Sequence, residues 1–375
     1  MSIAEWLGSR FELSRHSSGG NLASMEGLRG FAVILVFAVH FCTLARAAVS
    51  DSKLLTILDV LERLGHSGVD LFFVLSGHLI YGALITRPRP FGSFMRRRIQ
   101  RIYPTFLAVF AIYLLLSLLV PSQSKLPEQG LNLVLFLIGN LLLLPGIYPM
   151  QPMITVAWSL SYEMFFYLVM PALIWLFGLR AMPVARRNGV FIALAVAVIA
   201  GCAVWSGPMR MAMFISGALL YECLGQASAR RFPVLLVIAA LTVAAMVDLQ
   251  RPDGAFGYAL RTTTLFVAFW LLCFSCFAQS TGILAHVFAW TPLRWLGNMS
   301  YSYYLIRGLT LKLFFILAGK MAIPLSLNGS TLTLMAVLSF SVTLISSAIL
   351  FLLVERPLSL LPVQFNGRSI AAAER

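Results

Sequence analysis

The chain has 375 residues, of which 59% are hydrophobic and 11% charged, and its mean hydropathy is +0.87. This composition excludes an ordinary soluble domain, so we expect a polytopic membrane protein with one integral domain. The net charge of +14 does not indicate nucleic acid as a partner, because the arginines cluster between apolar runs as they do in cytoplasmic loops. The partners we expect from composition are membrane lipids, and no nucleic acid.

The chain divides into two short tails and a membrane domain. We assign residues 1–23 to an N-terminal cytoplasmic tail, residues 24–357 to the membrane domain and residues 358–375 to a C-terminal tail. Residues 1–23 are mixed polar and charged, and they lack the continuous apolar core of a cleavable signal peptide.

The first predicted span, residues 27–47, carries two ionisable side chains on one face. Arg29 and His40 are eleven residues apart, which in a helix is three turns plus about 20°. Their Cα atoms would lie about 16 Å apart along the axis, with Arg29 at one mouth of the bilayer and His40 about half-way through its core. A histidine at that depth indicates a functional site. The alternative is a polar residue that is satisfied inside the bundle.

Residues 48–66 are predicted to form a polar connection to the second span, residues 68–86. Asp70 lies at the start of this span, where it could cap the helix or pair with a cation, and we favour capping. The loop that follows has the densest positive charge in the chain, namely Arg87, Arg89, Arg96, Arg97, Arg98 and Arg101. Together with the N-terminal arginines, it predicts a cytoplasmic N terminus.

The remaining predicted spans are residues 102–120, 156–178, 189–205, 210–226, 232–248, 259–278, 299–319 and 332–354. The apolar run 131–146 is ambiguous, because its 16 residues are fewer than the roughly 20 that cross a bilayer. Counting it as a span would also place Arg180, Arg186 and Arg187 outside. We therefore predict an all-α helical bundle of about ten transmembrane helices plus a re-entrant segment, or eleven helices if that segment spans. Both termini would then be cytoplasmic.

The cysteine and histidine patterns do not predict a metal or redox site. The five cysteines lie in or beside apolar segments, and the pair Cys273 and Cys276 encloses Phe and Ser within a hydrophobic run, which favours packing. The five histidines are scattered without ligand spacing, so we expect no metal.

Six motifs along the chain resemble, in the same order, those of the acyltransferase-3 family. They are EGLRGFA at 26–32 followed by His40, GVDLFFVLSG at 68–77, FMRRRIQRIYP at 94–104, WSLSYEMFFY at 158–167 followed by Pro171, MSYSYYL at 299–305, and ERP at 355–357. The set covers nearly the whole chain, which makes it far more specific than any one motif.

This resemblance implies a membrane enzyme that takes an acyl group, usually acetyl, from cytoplasmic acyl-CoA. The acceptor would be a hydroxyl of an envelope or exported carbohydrate, a glycoconjugate or another small molecule. Acetyl-CoA would be a donor substrate, with no permanently bound cofactor. The expected location is the inner (plasma) membrane of a bacterium. The chain ends soon after its last span, so we expect the stand-alone form without a fused esterase-like domain.

Two positions depart from the family pattern. Where the MSYSYYL motif commonly continues with His, this chain has Arg307, which cannot act as a base but could hold a phosphate or carboxylate. Position 78, usually an apolar aromatic residue, is His78, which could be a local polar partner or line a wet cavity.

The acyl transfer implied by the family requires a base and groups that stabilise an oxyanion. His40 is the candidate base or acyl-accepting residue, since imidazole titrates near neutral pH, and Arg29 lies on its face. Glu163 could orient His40 or contact the acceptor, or could pair with a buried arginine for folding.

The arginines of the third motif are candidates for binding the phosphates of acyl-CoA, because guanidinium groups match phosphate geometry. The donor-binding residues are predicted to be Arg29, Arg96, Arg97, Arg98, Arg101 and Tyr103. The alternative is that these arginines only set topology. The residues expected to shape the substrate site are Asp70, Ser76, Gly77, His78, Trp158, Ser159, Tyr301, Tyr304, Arg307 and Glu355.

Two other functions fit the same pattern. One is a transporter or flippase of a lipid-linked or exported glycan, which would also need a polar path through the membrane. The other is a degenerate, non-catalytic family member that binds a partner, for which Arg307 is the only indication. Transfer from labelled acetyl-CoA in membranes, with and without His40, distinguishes an enzyme from both.

Overall fold

The computed structural model describes residues 3–13, 21–127, 130–205, 207–226, 232–278, 281–320 and 328–360. All regular secondary structure in these segments is helical, which confirms the predicted all-α class. Residues 14–20 of the predicted N-terminal tail and residues 361–375 of the predicted C-terminal tail lie outside the described segments.

Fifteen helices of the described segments are numbered here in chain order. They are α1 Ile3–Phe11, α2 Asn21–Ala45, α3 Ser52–Gly65, α4 Ser67–Thr86, α5 Phe91–Leu119, α6 Leu131–Leu141, α7 Ala157–Leu176, α8 Val184–Trp205, α9 Ala212–Gly225, α10 Val234–Gln250, α11 Gly254–Ala278, α12 Ile283–Phe288, α13 Thr291–Asn298, α14 Ser300–Lys320 and α15 Gly329–Leu350. A π-helical segment, Phe351–Leu360, continues α15. Short 3₁₀ turns lie at Arg46–Ala48, Pro121–Gln123, Leu179–Ala181 and Met209–Met211.

Eight helical stretches of the described chain are long and apolar enough to cross a membrane. They are Ala23–Ala48, Ser52–Thr86, Phe91–Leu119, Ala157–Leu176, Val184–Trp205, Gly254–Ala278, Ser300–Lys320 and Gly329–Leu360. The two other predicted spans, 210–226 and 232–248, correspond to the shorter helices α9 and α10, of 14 and 17 residues. The eight long stretches fit a polytopic membrane protein, whereas α9 and α10 are shorter than the roughly 20 residues of a full crossing.

Most of the predicted polar connection at 48–66 is helix α3. Asp51 caps this helix, and its side chain accepts hydrogen bonds from the backbone N–H groups of Lys53 (2.8 Å) and Leu54 (3.0 Å). The charged residues of α3 suggested a loop, although two of them form ion pairs: Asp59 and Glu62 contact Arg46 at the end of α2. Charge alone therefore did not distinguish an exposed helix face from a loop.

Most of the arginine-rich stretch is likewise helical, because α5 begins at Phe91, and only Arg87 and Arg89 lie in the connection before it. Arg98 and Arg101 are thus held on a rigid element, on the same face as the buried Phe94 and Ile102. Three contacts place the beginnings of α2, α5 and α14 at one end of the bundle: Arg29 with Ser300, the Arg101 guanidinium with the ring of Tyr301, and Arg101 with Glu355. We call this end the arginine end.

The segment between α5 and α7 begins and ends at the same level of the bundle, at the end opposite the arginine end. Lys125, just after α5, donates to the Thr155 hydroxyl (2.8 Å) and to the Pro152 carbonyl (3.3 Å), just before α7. Helix α6 between them has 11 residues, about 16 Å at 1.5 Å per residue, which is too short to span. The buried Asn140 side chain holds the segment that leads back to α7, because its Oδ1 atom accepts a hydrogen bond from the backbone N–H of Met153 (2.7 Å).

The direction of α7 agrees with this geometry. Helix α5 begins at the arginine end, and α7 finishes there, since Arg180 donates to the carbonyl of Leu84 near the end of α4 (2.9 Å). The pair α5 and α7 therefore completes one outward and one return passage without a crossing by α6. This is the arrangement that the re-entrant interpretation requires.

The arginine end is closed by very tight packing of α2 against α12 and α13. A Cβ atom at Gly30 would lie 2.0 Å from the Leu293 carbonyl oxygen, and one at Gly297 would lie 1.7 Å from that of Glu26. The Glu26 side chain is buried and accepts from Arg294 Nε at 3.2 Å. Gly30 of the first motif and Gly297 of α13 thus let the two helix backbones touch, which brings the Glu26–Arg294 pair together.

Replacement of Gly30 by alanine should therefore destabilise the protein by at least about 1–3 kcal/mol, the usual cost of overpacking a core. The matched control is Gly189→Ala in the exposed interior of α8, where nothing lies within 4 Å of the new Cβ. That change should be neutral or stabilising by about 0.5–1 kcal/mol. Thermal unfolding of both variants in detergent measures the difference, and equal stability would contradict the packing argument.

Candidate active site

A cavity of about 430 Å³ lies at the arginine end, between α2, α4, α5, α7 and α14. Apolar side chains of α4 form much of one wall, including Phe72 and Leu79. The polar residues that line the cavity are Arg29, Ser76, Arg98, Arg101, Ser159, Glu163, Tyr167, Ser300, Tyr301 and Tyr304. Three arginines and one glutamate thus line a cavity of the size of small-molecule sites.

Glu163 is held by hydroxyl groups. Its Oε1 atom accepts from Ser76 Oγ (3.3 Å) and from the Tyr167 hydroxyl. Tyr167 follows Glu163 by four residues on α7, so both side chains leave the same face. The guanidinium of Arg98 lies 5.6 Å from the centre of the Tyr167 ring and 5.5 Å from that of Phe94. These ring contacts hold the Arg98 guanidinium at the cavity wall.

Glu355 fixes the position of Arg101. It is fully buried, and its Oε1 lies 2.7 Å from Arg101 Nη1. Its other oxygen accepts from the backbone N–H (3.0 Å) and the hydroxyl (2.6 Å) of Ser302. These bonds satisfy a carboxylate that would otherwise be costly to bury. The π-helical segment, α5 and the start of α14 are thereby joined at one point.

A second polar group lies beyond the cavity wall, deeper along α2. Nη2 of Arg307 is 2.8 Å from Nε2 of His40. Because a guanidinium can only donate, Nε2 accepts this bond, which makes the His40 ring neutral with its proton on Nδ1. The Arg307 guanidinium also lies 4.8 Å from the centre of the Tyr304 ring. Since Tyr304 lines the cavity, it forms the boundary between the cavity and the His40–Arg307 pair.

Tyr304 is itself fixed in place. Its hydroxyl is 2.7 Å from Ser159 Oγ and donates to the Val156 carbonyl at 3.3 Å. Both partners lie at the beginning of α7, where the re-entrant segment ends. The re-entrant segment therefore helps to position the floor of the cavity.

The structure gathers eight of the predicted site residues around the cavity: Arg29, Ser76, Arg98, Arg101, Ser159, Glu163, Tyr301 and Tyr304. The arginine cluster is divided, because Arg96 and Arg97 are exposed and do not line it. Tyr103 also does not line the cavity, and its hydroxyl donates to the Leu141 carbonyl (3.0 Å). Its contact supports the re-entrant segment.

The idea that Glu163 orients His40 does not match the geometry, because the side chain bonded to His40 is Arg307. The capping role preferred for Asp70 is also wrong. His66 occupies the N-cap position of α4, and the Asp70 side chain faces Arg210, with 3.6 Å between Oδ1 and Nε. The same Arg210 guanidinium lies 5.7 Å from the Trp158 ring centre. Asp70 and Trp158 therefore belong to a neighbouring charged cluster and not to the cavity lining.

Two residues of the second motif act elsewhere. Gly77 allows α4 to touch α9, since a Cβ atom there would lie 2.1 Å from the Phe214 carbonyl oxygen. His78 lines a separate cavity of about 320 Å³ together with Arg87, Arg89 and Tyr221. This cavity is not the one lined by Glu163, so the structure does not bring His78 to the predicted substrate site.

Sequence reasoning missed three residues that the structure brings into these groups. Tyr167 and Ser300 lie within the quoted motifs, and the spacing of Tyr167 from Glu163 was a usable signal. Ser300 accepts a hydrogen bond from Arg29 Nη2 at 3.0 Å. Arg210 carried no signal, because its link to Asp70 joins distant parts of the chain.

With the geometry established, comparison with known proteins decides the family. A profile of acyltransferase-3 proteins, described as an acyltransferase domain, matches residues 22–352. The chain belongs to the acyltransferase-3 family. This confirms the resemblance seen in the six motifs, and it makes the protein a membrane acyltransferase by family.

Three acyltransferase-3 relatives show the extent of the match. The chain is 26% identical to acyltransferase MdmB of Streptomyces mycarofaciens over 364 residues, which are 90% of this chain and 91% of MdmB. It is 24% identical to peptidoglycan O-acetyltransferase OatA of Listeria monocytogenes over 324 residues, which are 75% of this chain and 48% of OatA. It is 24% identical to putative peptidoglycan O-acetyltransferase YrhL of Bacillus subtilis over 328 residues, which are 76% of this chain and 48% of YrhL. The matched region is thus about half of OatA and YrhL. No solved structure matches the chain.

Proposed function

We propose that this acyltransferase-3 protein transfers an acyl group, most readily acetyl, from acyl-CoA to a hydroxyl of a carbohydrate or glycoconjugate. The observation that carries the proposal is an arginine-lined cavity at one end of the bundle, with a histidine beyond its floor. The arginines suit an anionic acyl donor, and the histidine suits proton transfer. Family membership supplies the acyl-transfer chemistry that connects them.

The donor site would be the cavity. Its three arginines suit the phosphate groups of CoA, since guanidinium groups form charge-assisted bonds with phosphate oxygens. Arg29 is bonded to Ser300 and Arg101 to Glu355, whereas Arg98 contacts the rings of two aromatic side chains and has no acidic partner among the described ion pairs. The pantetheine arm is long and uncharged, so it can carry the thioester away from the phosphates toward Tyr304 and His40.

The chemical step would use His40. A hydroxyl becomes a better nucleophile when a base removes its proton as it attacks, and imidazole is suited to this near neutral pH. His40 could instead accept the acyl group itself and pass it on. Both routes need the same histidine, beyond the floor of the same cavity.

The arginine end would face the cytoplasm, where acyl-CoA is found. Arg180, Arg186 and Arg187 then lie on the cytoplasmic side with Arg98, in agreement with the positive-inside rule. The class of acceptor is suggested by OatA, whose name refers to peptidoglycan, a carbohydrate polymer. Because the chain matches only 48% of OatA, the shared part suggests the class of acceptor and not peptidoglycan itself.

Loss of the His40 imidazole should abolish transfer while leaving the protein in the membrane. General-base catalysis contributes about 10²–10⁴-fold, so turnover should fall at least that far in His40→Ala. His40→Gln is the matched variant, because its amide oxygen can still accept from Arg307 but cannot take a proton. Transfer from labelled acetyl-CoA is measured at equal protein levels. Unchanged turnover in both variants would overturn the assignment, and glycan movement without thioester consumption would favour a transporter.

Arg98 should govern donor affinity more than chemistry. Its phosphate contact would be shared by the bound donor and the transition state, so Arg98→Ala should raise KM for acetyl-CoA about tenfold with kcat little changed. The effect should weaken at high ionic strength, because the site is near solvent. Arg97→Ala, the exposed neighbour, is the matched control and should behave like wild type. A loss confined to kcat would show that Arg98 does not bind the donor.

The proposed orientation is tested with single cysteines in a background in which the partly exposed Cys202 and Cys223 are alanine. Ala185→Cys marks the arginine end, and Ser50→Cys marks the opposite end after α2. With a membrane-impermeant maleimide, Ser50→Cys should be labelled in intact cells and Ala185→Cys only after lysis. The reverse pattern would place the arginine end outside.

A further inference from the structure

Arg307 is an unusual arginine for the middle of an apolar bundle. Its side chain is 1% exposed, and no acidic side chain of the described segments forms an ion pair with it. Two other arginines that point into the bundle differ in this respect: Arg101 faces Glu355, and Arg210 faces Asp70. A buried charge without a counterion is strongly unfavourable. Such a group persists where it serves a function.

The guanidinium also has unused hydrogen-bonding capacity. One of its three nitrogens, Nη2, is bonded to His40, whereas Nε and Nη1 are buried and have no hydrogen-bond partner. Two nearby tyrosines are engaged in other ways: Tyr304 presents its ring, and the Tyr303 hydroxyl lies 3.0 Å from Thr343 Oγ1. An aromatic face attracts the charge but leaves the N–H groups unsatisfied.

We propose that Arg307 is a catalytic residue that binds the oxyanion formed during acyl transfer, with His40 as its neighbouring base. The inference rests on the proposed function. The Arg307 guanidinium has the properties of an oxyanion-binding site. It is positively charged, it contacts the base, and two of its nitrogens have no hydrogen-bond partner. The donors are fixed before substrate arrives, in a region from which the bundle excludes water.

One tetrahedral centre that passes the Tyr304 boundary would meet both side chains, neither of which lines the cavity itself. The attacking oxygen and the oxyanion are bonded to the same carbon, and the guanidinium nitrogens are also bonded to one carbon. With the attacking oxygen at Nε2 of His40, where Nη2 now donates, the oxyanion lies within reach of the remaining N–H groups of Arg307. Binding of the carbonyl oxygen by Arg307 would also free Nε2 to accept the hydroxyl proton.

The step balances as follows. The acceptor hydroxyl gives its proton to Nε2 of His40, and its oxygen bonds to the thioester carbon. The carbonyl π electrons move onto oxygen, and Arg307 binds the resulting negative charge. When the C=O bond re-forms, the C–S bond breaks with its electron pair on sulfur, and the His40 imidazolium returns the proton to sulfur. The products are the acyl ester and the free thiol of CoA.

The test compares Arg307→Met, which has a similar shape without charge, with Arg307→Lys, which keeps the charge but not the fork of donors. Purified protein is assayed with acetyl-CoA and total membrane glycolipid as acceptor. Removing an oxyanion donor costs about 10²–10³-fold in kcat, so Arg307→Met should lose that much with KM for acetyl-CoA unchanged. The kcat of Arg307→Lys should be at least about tenfold higher than that of Arg307→Met, since a charge-assisted contact remains.

Thermal unfolding separates catalysis from folding. Because Arg307 has no counterion, replacing it by an apolar side chain should leave the melting temperature unchanged or raise it. A large loss of kcat in a protein of equal or greater stability supports the inference. Three outcomes would overturn it: wild-type kcat in the Met variant, a fall in activity that only follows lost folded protein, or a rise in KM with kcat preserved.

The wild-type assay distinguishes the two levels of the proposal. If wild-type protein consumes no acetyl-CoA thioester, the proposed function fails and the oxyanion role fails with it. If wild type is active, His40→Ala is inactive and Arg307→Met retains full kcat, only the oxyanion role is wrong. The His40→Ala arm thus provides an internal reference for the loss expected of a catalytic side chain.

Discussion

The arrangement of the bundle depends on pairing charged side chains where little water reaches. Glu355 is central to it, because this fully buried carboxylate contacts Arg101 and the first turn of α14. Left alone, it would carry a large desolvation penalty, so α5, α14 and the π-helical segment are held in one arrangement. That arrangement brings Arg101 and Tyr301 to the cavity. A folding requirement and the shape of the site are therefore met by the same contacts.

Close helix contacts provide the second constraint. Gly30 and Gly297 allow α2 and α13 to approach until backbone meets backbone, and Gly77 does the same for α4 and α9. Side chains of any size at these positions would separate the helices and widen the cavity. The motifs that carry polar residues also carry these glycines, because the polar groups reach their partners only when the helices are this close.

Helix α2 places two different chemical environments at different depths. Arg29 borders the cavity at the arginine end, and His40 lies with Arg307 beyond Tyr304. The separation suits a donor with its charges at one end and its reactive group at the other, since the charges can stay near solvent while the reactive group enters the apolar interior. It also explains how one cavity floor, formed by Tyr304 and the start of α7, can serve both sites.

The sequence by itself determined the all-helical membrane class, most of the span positions, the short α6 and the shared face of Arg29 and His40, because these follow from local composition, run length and helical period. It misjudged α3 and the start of α5, where charged residues on helices suggested loops. Only the tertiary structure decided which polar groups meet: Asp70 with Arg210, Glu163 with Tyr167 and Ser76, and His40 with Arg307. The last pair joins residues 267 positions apart, and such a contact depends on how whole helices pack, which no local pattern encodes.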